Sequence, residues 1–71
     1  MTQSSNTSVS NQNYNLVSVL YHALEGAQTY SHYIQDAQGD QELVKFFQQV
    51  QQQDNERAQK ALQLLASRAS R

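Results

Sequence analysis

The stretch "AQGD", residues 37–40, decides the fold because it is the one clear break in a long segment without proline. Gly39 suits the left-handed conformation that follows a helix C-terminus, and Asp40 is a good N-cap for the next helix. Glu42 then falls in the first turn of that helix, where the helix dipole favours a negative charge. A connection this short forces the flanking helices to be antiparallel neighbours. The sequence therefore predicts an all-α, two-helix antiparallel hairpin.

Apolar residues recur at alternating steps of four and three on both sides of this break, a spacing typical of helices that pack side by side. The predicted helices span about residues 14–37 and 41–67. In the first helix the apolar positions are Leu16, Leu20, Ala23, Ala27, Tyr30, Ile34 and Ala37. In the second helix they are Leu43, Phe46, Phe47, Val50, Ala58, Ala61, Leu62, Leu64 and Leu65. The glutamines at 48, 49, 51, 52 and 53 are predicted to lie mostly on the flanks and the outer face.

The N-terminal segment has a different composition, since residues 1–12 are almost all Ser, Thr, Asn and Gln. Such a segment has too little apolar surface to offset the entropy lost on ordering, so a disordered polar tail is predicted there. Residues 13–71 then form the hairpin domain.

Composition excludes several classes of function. The net charge is −1 and the five basic residues are scattered, which argues against nucleic-acid binding. Apolar runs are too short for a membrane span, no helix has a Lys/Arg-rich polar face, and the N-terminus does not resemble a secretory signal. A cytoplasmic protein is therefore expected. The absence of cysteine removes disulfides, thiolate zinc sites and cysteine nucleophiles together.

The chain length and the width of the apolar stripe along each helix both favour an oligomer. A chain of 71 residues seldom obtains more than ~3–5 kcal/mol from its own core. Both apolar stripes are wider than a two-helix contact, so a lone hairpin would leave Val17, Leu24 or Phe46 in water. Two hairpins packed as a homodimeric four-helix bundle would cover them; docking on a different helix pair is the alternative. The predicted dimer core comprises Leu16, Leu20, Ala23, Leu24, Ala27, Ile34, Phe46, Phe47, Val50, Ala61, Leu64 and Leu65.

The segment "ALEGAQTYSHYIQDAQGDQELVKFFQQVQQQDNERAQKALQLL", residues 23–65, resembles the rubrerythrin-type ferritin-like helical hairpin. The shared features are an Ala/Glu/Tyr-rich helix, a Gly-Asp turn, "FF", an acidic stretch and a Leu-rich end. The chain is most similar to half-bundle members, in which two hairpins dimerise into one four-helix bundle. The resemblance implies an inward glutamate on the first helix and a Glu-x-x-His on the second, two copies of which hold two iron ions.

The chain departs from that ligand pattern at both helices. The first-helix glutamate should fall near Gly26 or Ala27, neither of which binds metal. Glu25 lies about 140° around the helix from Leu20, outside the apolar stripe. On the second helix the Glu-x-x-His slot holds "DNER", Asp54 to Arg57, and an arginine offers no lone pair. We therefore expect vestigial ligand positions, with an Asp54–Arg57 ion pair, within a helix or across the dimer, in place of metal.

Four other residues could ligate metal at the surface, namely His22, Glu25, His32 and Asp36. Their spacings of three and four residues could each clamp a divalent ion, but a solvated helix face is the expected role. The four tyrosines are predicted to pack at the bundle margins. No cofactor is predicted.

These observations favour a non-catalytic ferritin-like homodimer with a structural or interaction role. The alternative is an iron-binding ferritin-like protein involved in oxidative stress or iron handling.

Overall fold

The computed structural model describes residues 11–69, which form two α-helices and no strand. Helix α1 spans Asn11–Asp36 and helix α2 spans Gln41–Ala69. The hairpin extends over 49 × 24 × 15 Å, so it is a single layer of two helices with two broad faces. The prediction of an all-α helical hairpin is confirmed. Neither described helix is long and apolar enough to cross a membrane.

The helix boundaries differ from the predicted ones by one to three residues. Helix α1 begins three residues earlier and ends one residue earlier than predicted, and α2 continues two residues further. Of the predicted tail, residues 1–10 lie outside the described residues, whereas Asn11 and Gln12 belong to α1. Polar residues can extend a helix that is already nucleated, because each added residue gains one backbone hydrogen bond.

The turn has the geometry that its residues predict. Gly39 has a φ of 101°, in the region that favours glycine. The Asp40 amide donates to the carbonyl oxygen of Ala37 at 2.9 Å. The Leu43 amide donates to Oδ1 of Asp40 at 3.3 Å, and the Val44 amide donates to the Asp40 carbonyl oxygen at 3.0 Å. Asp40 is therefore the N-cap of α2.

The buried core of the hairpin is unusually small in side-chain volume. The buried apolar residues are five alanines, and no large side chain in residues 11–68 is fully buried. Small residues allow two helix axes to approach closely, but they remove little apolar surface from water. The buried alanines are Ala23, Ala27, Ala37, Ala58 and Ala61.

Aromatic rings hold the helices together near the turn. Phe47 of α2 lies between the two helices, with its ring centroid 5.6 Å from that of Tyr33 and 6.1 Å from that of Tyr30. Tyr30 and Tyr33 form an edge-to-face pair with their ring centroids 5.0 Å apart, and the ring centroids of Phe46 and Phe47 are 5.7 Å apart. These distances are typical of favourable aromatic pairs. The tyrosines of this cluster therefore have the packing role expected for them.

Candidate functional site

Asp54 is the one polar side chain that the described part of the hairpin buries. Nη1 of Arg57 donates a hydrogen bond to Oδ1 of Asp54, and the two residues are three apart on α2. The Asp54 side chain is 12% exposed, whereas the Arg57 side chain is 54% exposed. The ion pair therefore forms within one helix and extends from the interior of the hairpin to its surface.

The other helix accommodates this carboxylate because residue 26 is a glycine. A Cβ atom added at Gly26 would lie 2.5 Å from Oδ2 of Asp54 and 3.3 Å from its Cγ. The resemblance assigned the first-helix ligand to Gly26 or Ala27, and the second-helix acidic ligand to Asp54. The structure brings these two positions together, but the first supplies no ligand and the second is paired with Arg57.

We predict that the effect of Gly26→Ala on stability depends on Asp54. Alanine is favoured over glycine in a helix interior by about 1 kcal/mol. In an Asp54→Ala background, Gly26→Ala should therefore raise the free energy of unfolding by about that amount. In the parent chain the new methyl group must displace the carboxylate, so the gain should be lost. Urea denaturation of the four variants should give a coupling energy of about 1–2 kcal/mol. Equal stabilisation in both backgrounds would contradict the contact.

Gln51 donates hydrogen bonds from α2 to α1. Its Nε2 donates to the carbonyl oxygen of Ala27 at 2.7 Å and to Oγ of Ser31 at 2.9 Å. The sequence prediction placed Gln51 with the flanking glutamines and so missed this role. The available signal was its spacing, because Gln51 is four residues after Phe47 and three before Asp54. Those spacings put the three residues on one side of α2.

The surface candidates for metal binding remain separate. His22, Glu25, His32 and Asp36 are all exposed on the outer side of α1. Nδ1 of His22 donates to the carbonyl oxygen of Ser18 at 2.9 Å, which holds the ring against its own helix. Within the described range there is no group of three or more His, Asp or Glu residues placed to hold a metal ion. Each candidate pair thus offers two ligands, fewer than a protein metal site normally uses.

One broad face of the hairpin carries Gln51 together with Val17, Leu24 and Leu62, and we call it the Gln51 face. A cleft of about 370 Å³ on this face lies toward the open end of the hairpin. The exposed side chains of Val17 and Leu24 lie on the same side of α1, as their spacing of seven requires. The cleft is lined by Leu20, Leu24, Asn55, Ala58, Gln59 and Leu62.

The opposite broad face surrounds the exposed end of the ion pair, and we call it the Arg57 face. It is defined by Val19, Gly26 and Tyr33, which recur every seven residues on α1, and by Phe46, Arg57 and Leu64, whose spacings of eleven and seven put them on one side of α2. A cleft of about 420 Å³ occupies its open end, lined by Gln12, Asn15, Leu16, Val19, Leu64 and Arg68. A smaller cleft of about 250 Å³ lies near the turn, lined by Tyr33, Asp36, Ala37, Leu43 and Phe47.

The residues predicted to form one dimer core lie in three places, namely within the hairpin, on the Gln51 face and on the Arg57 face. Ala23, Ala27 and Ala61 are already buried within the hairpin. Leu24 is exposed on the Gln51 face, whereas Phe46 is exposed on the Arg57 face. The reason is that apolar residues flank the buried seam on both sides of each helix. A single flat interface can therefore cover only one of these two groups.

Comparison of the chain with protein-family models, curated protein sequences and solved structures gives no match. The likeness to the rubrerythrin-type hairpin stays a prediction, and functional inference depends on the residues themselves.

Proposed function

We propose that this chain is a non-catalytic helical hairpin that pairs with a second copy to form a four-helix bundle, with a structural or interaction role. The observation that carries the proposal is the composition of the core. Only alanines are buried among the apolar residues, while nine larger apolar side chains of the described segment are 42–60% exposed. Exposed apolar surface of this extent is typical of interaction sites rather than of isolated domains.

The low free energy of unfolding expected of so small a domain supports the same proposal. Small domains bury a low fraction of their surface and are marginally stable, so a chain of 71 residues usually needs further stabilisation. The chain has no cysteine to form a disulfide. The exposed apolar side chains are already about half covered, so their burial against a partner would add roughly half of the 1.5–3 kcal/mol that complete burial of such a side chain gives. A second hairpin supplies such a surface without any other component.

We further propose that the chain descends from a ferritin-like hairpin and has lost its di-iron site. The support is that Arg57, a permanent cation without a lone pair, falls where the resemblance expects a histidine ligand, and that it forms an ion pair with Asp54. In this proposal the guanidinium takes the place of the metal cation beside the carboxylate.

Light scattering at micromolar concentration should give twice the mass of the chain, and a monomer would overturn the homodimer.

Elemental analysis tests the loss of the metal site separately. Protein purified without chelator should contain no stoichiometric iron, and its thermal melting should be unchanged by a chelator. About one iron or more per chain would support the iron-binding alternative instead.

A further inference from the structure

We propose that the second copy binds the Arg57 face, with the two turns at opposite ends of the bundle, and that its Gln53 completes the hydrogen bonding of Arg57. The proposal rests on the homodimer proposed above and adds which face is used, in which orientation, and with which polar contact. The occupant is a second copy because the apolar residues of this face are distributed about a central point.

On each helix, large apolar residues of the Arg57 face lie at equal distances from the middle; Val19, Tyr33 and Phe46 are exposed and Leu64 is half-buried. Val19 and Tyr33 are each seven residues from Gly26 on α1. Phe46 and Leu64 are each nine residues from residue 55 on α2. The two centres lie at the same level, because Gly26 contacts the carboxylate of Asp54, one residue before the second centre.

This spacing matches a two-fold axis that passes through the level of Gly26 at right angles to the helices. Such an axis places each helix antiparallel over its own copy, because it reverses direction along the bundle. Val19 then faces the partner's Tyr33, and Phe46 faces the partner's Leu64. The arrangement also overlaps the two hairpins, each 49 Å long and 24 Å wide, over most of their length. That overlap is sufficient for the roughly 800 Å² per partner typical of a stable interface.

The shapes of the two ends favour this orientation over the one with both turns at the same end. At the turn end Phe46 projects from the Arg57 face with 55% of its surface exposed. At the open end the same face has the larger cleft, lined by apolar side chains of Leu16, Val19 and Leu64. Opposite turns place Phe46 over the partner's cleft. Turns at the same end would press aromatic rings together and leave two clefts facing each other, which close packing disfavours.

The centre of the Arg57 face is polar, and a single chain does not supply acceptors for all of the hydrogen-bond donors of Arg57. The Arg57 guanidinium has five N–H donors, and within the described residues it bonds only to Asp54. Gln53 and Arg57 are each two residues from residue 55, so the two-fold places Arg57 beside the partner's Gln53. The amide oxygen of that Gln53 can accept a second hydrogen bond from Arg57. Because each Arg57 is paired with its own Asp54, the two arginines can approach the axis as neutral pairs.

The Gln51 face lacks this distribution. Its exposed apolar residues Val17, Leu24 and Leu62 all lie toward the open end, whereas the part near the turn carries the half-buried Val44 and exposed glutamines such as Gln35 and Gln48. The same two-fold on this face would place leucines over the partner's glutamines. The Gln51 face therefore does not suit a second copy in this orientation.

The test compares two substitutions on α2 that are matched in exposure. Phe46 is 55% exposed on the Arg57 face and Leu62 is 57% exposed on the Gln51 face. Phe46→Glu should raise the dimer dissociation constant by roughly a hundredfold or more, because it places a charge in each of two apolar contacts. Leu62→Glu should leave the dimer intact. Sedimentation equilibrium gives the masses, and circular dichroism shows whether each variant remains helical.

The outcomes separate the two proposals. A monomeric parent chain would overturn the homodimer itself. A dimeric parent that persists in Phe46→Glu, or that dissociates in Leu62→Glu, would overturn the choice of face while the homodimer stands.

A cysteine test is independent of the folding of Phe46→Glu. Since the chain has no cysteine, a mixture of Val19→Cys and Tyr33→Cys chains has only the introduced thiols. Oxidation should link one chain of each kind, because the proposed dimer brings these positions together. Val17→Cys, exposed on the Gln51 face, should not link to Tyr33→Cys. Failure of the first pair to link, or equal linkage of the second, would overturn the orientation.

Discussion

Ala61→Leu is expected to lower the free energy of unfolding by about 3 kcal/mol, the upper part of the range for overpacking a buried site. Ala61 is 3% exposed at the contact between the helices. The three additional carbon atoms of leucine have no space there unless α1 and α2 separate. Separation would remove contacts along the whole seam, which is built from alanines. A loss of this size approaches the total stability expected of so small a domain.

Urea denaturation followed by circular dichroism measures this change, and Ala66→Leu is the matched control. Ala66 lies five residues further along α2 and is exposed, so its substitution should change stability by less than about 0.5 kcal/mol. Both variants should be compared at one protein concentration, because dimerisation makes the midpoint concentration-dependent. Equal effects of the two substitutions would contradict the alanine seam.

Arg57→Leu is expected to destabilise the protein by about 2 kcal/mol, whether or not iron is present. The substitution leaves the buried carboxylate of Asp54 without its cation. Removing one partner of a fully buried pair costs about 3–5 kcal/mol. The expected loss for the single hairpin is smaller, because Arg57 is half exposed there and solvent screens that end of the pair; the loss should be larger where a second copy covers the Arg57 face.

The substitution Asp54→Leu gives the informative comparison. Leucine has nearly the shape of aspartate, so it fits against Gly26, but it leaves Arg57 without its carboxylate at the proposed interface. Asp54→Leu should therefore also be destabilising, and the double variant Asp54→Leu/Arg57→Leu should recover most of the stability lost in either single variant. Thermal melts in which Arg57→Leu is as stable as the parent would show that the pair has no structural role.

The two helices and their connection were predictable because the signals are local. The Gly39 conformation and the Asp40 cap depend on residues within one turn of each other. The seven-residue apolar repeat likewise predicts a buried side for each helix. The boundaries were off by up to three residues, since terminal residues extend or fray with little change in free energy.

The contacts across the seam were not predictable from the same pattern. Helical periodicity gives the angle of a side chain around its own axis, but not the residue that it meets on the other helix. The contact of Gly26 with Asp54 and the bonds of Gln51 to α1 depend on the level at which the helices pack. That level results from the packing of many side chains together.

The sequence by itself thus determined an all-α antiparallel hairpin with too much apolar surface for one chain, because helix formation, capping and turn geometry are encoded within a few residues. Only the tertiary structure decided which apolar residues remain exposed and on which face. Five alanines occupy the seam, so Leu24 and Phe46 emerge on opposite faces and Asp54 is enclosed against Gly26. The physical reason is that burial depends on both helices at once, whereas a repeat describes one helix at a time.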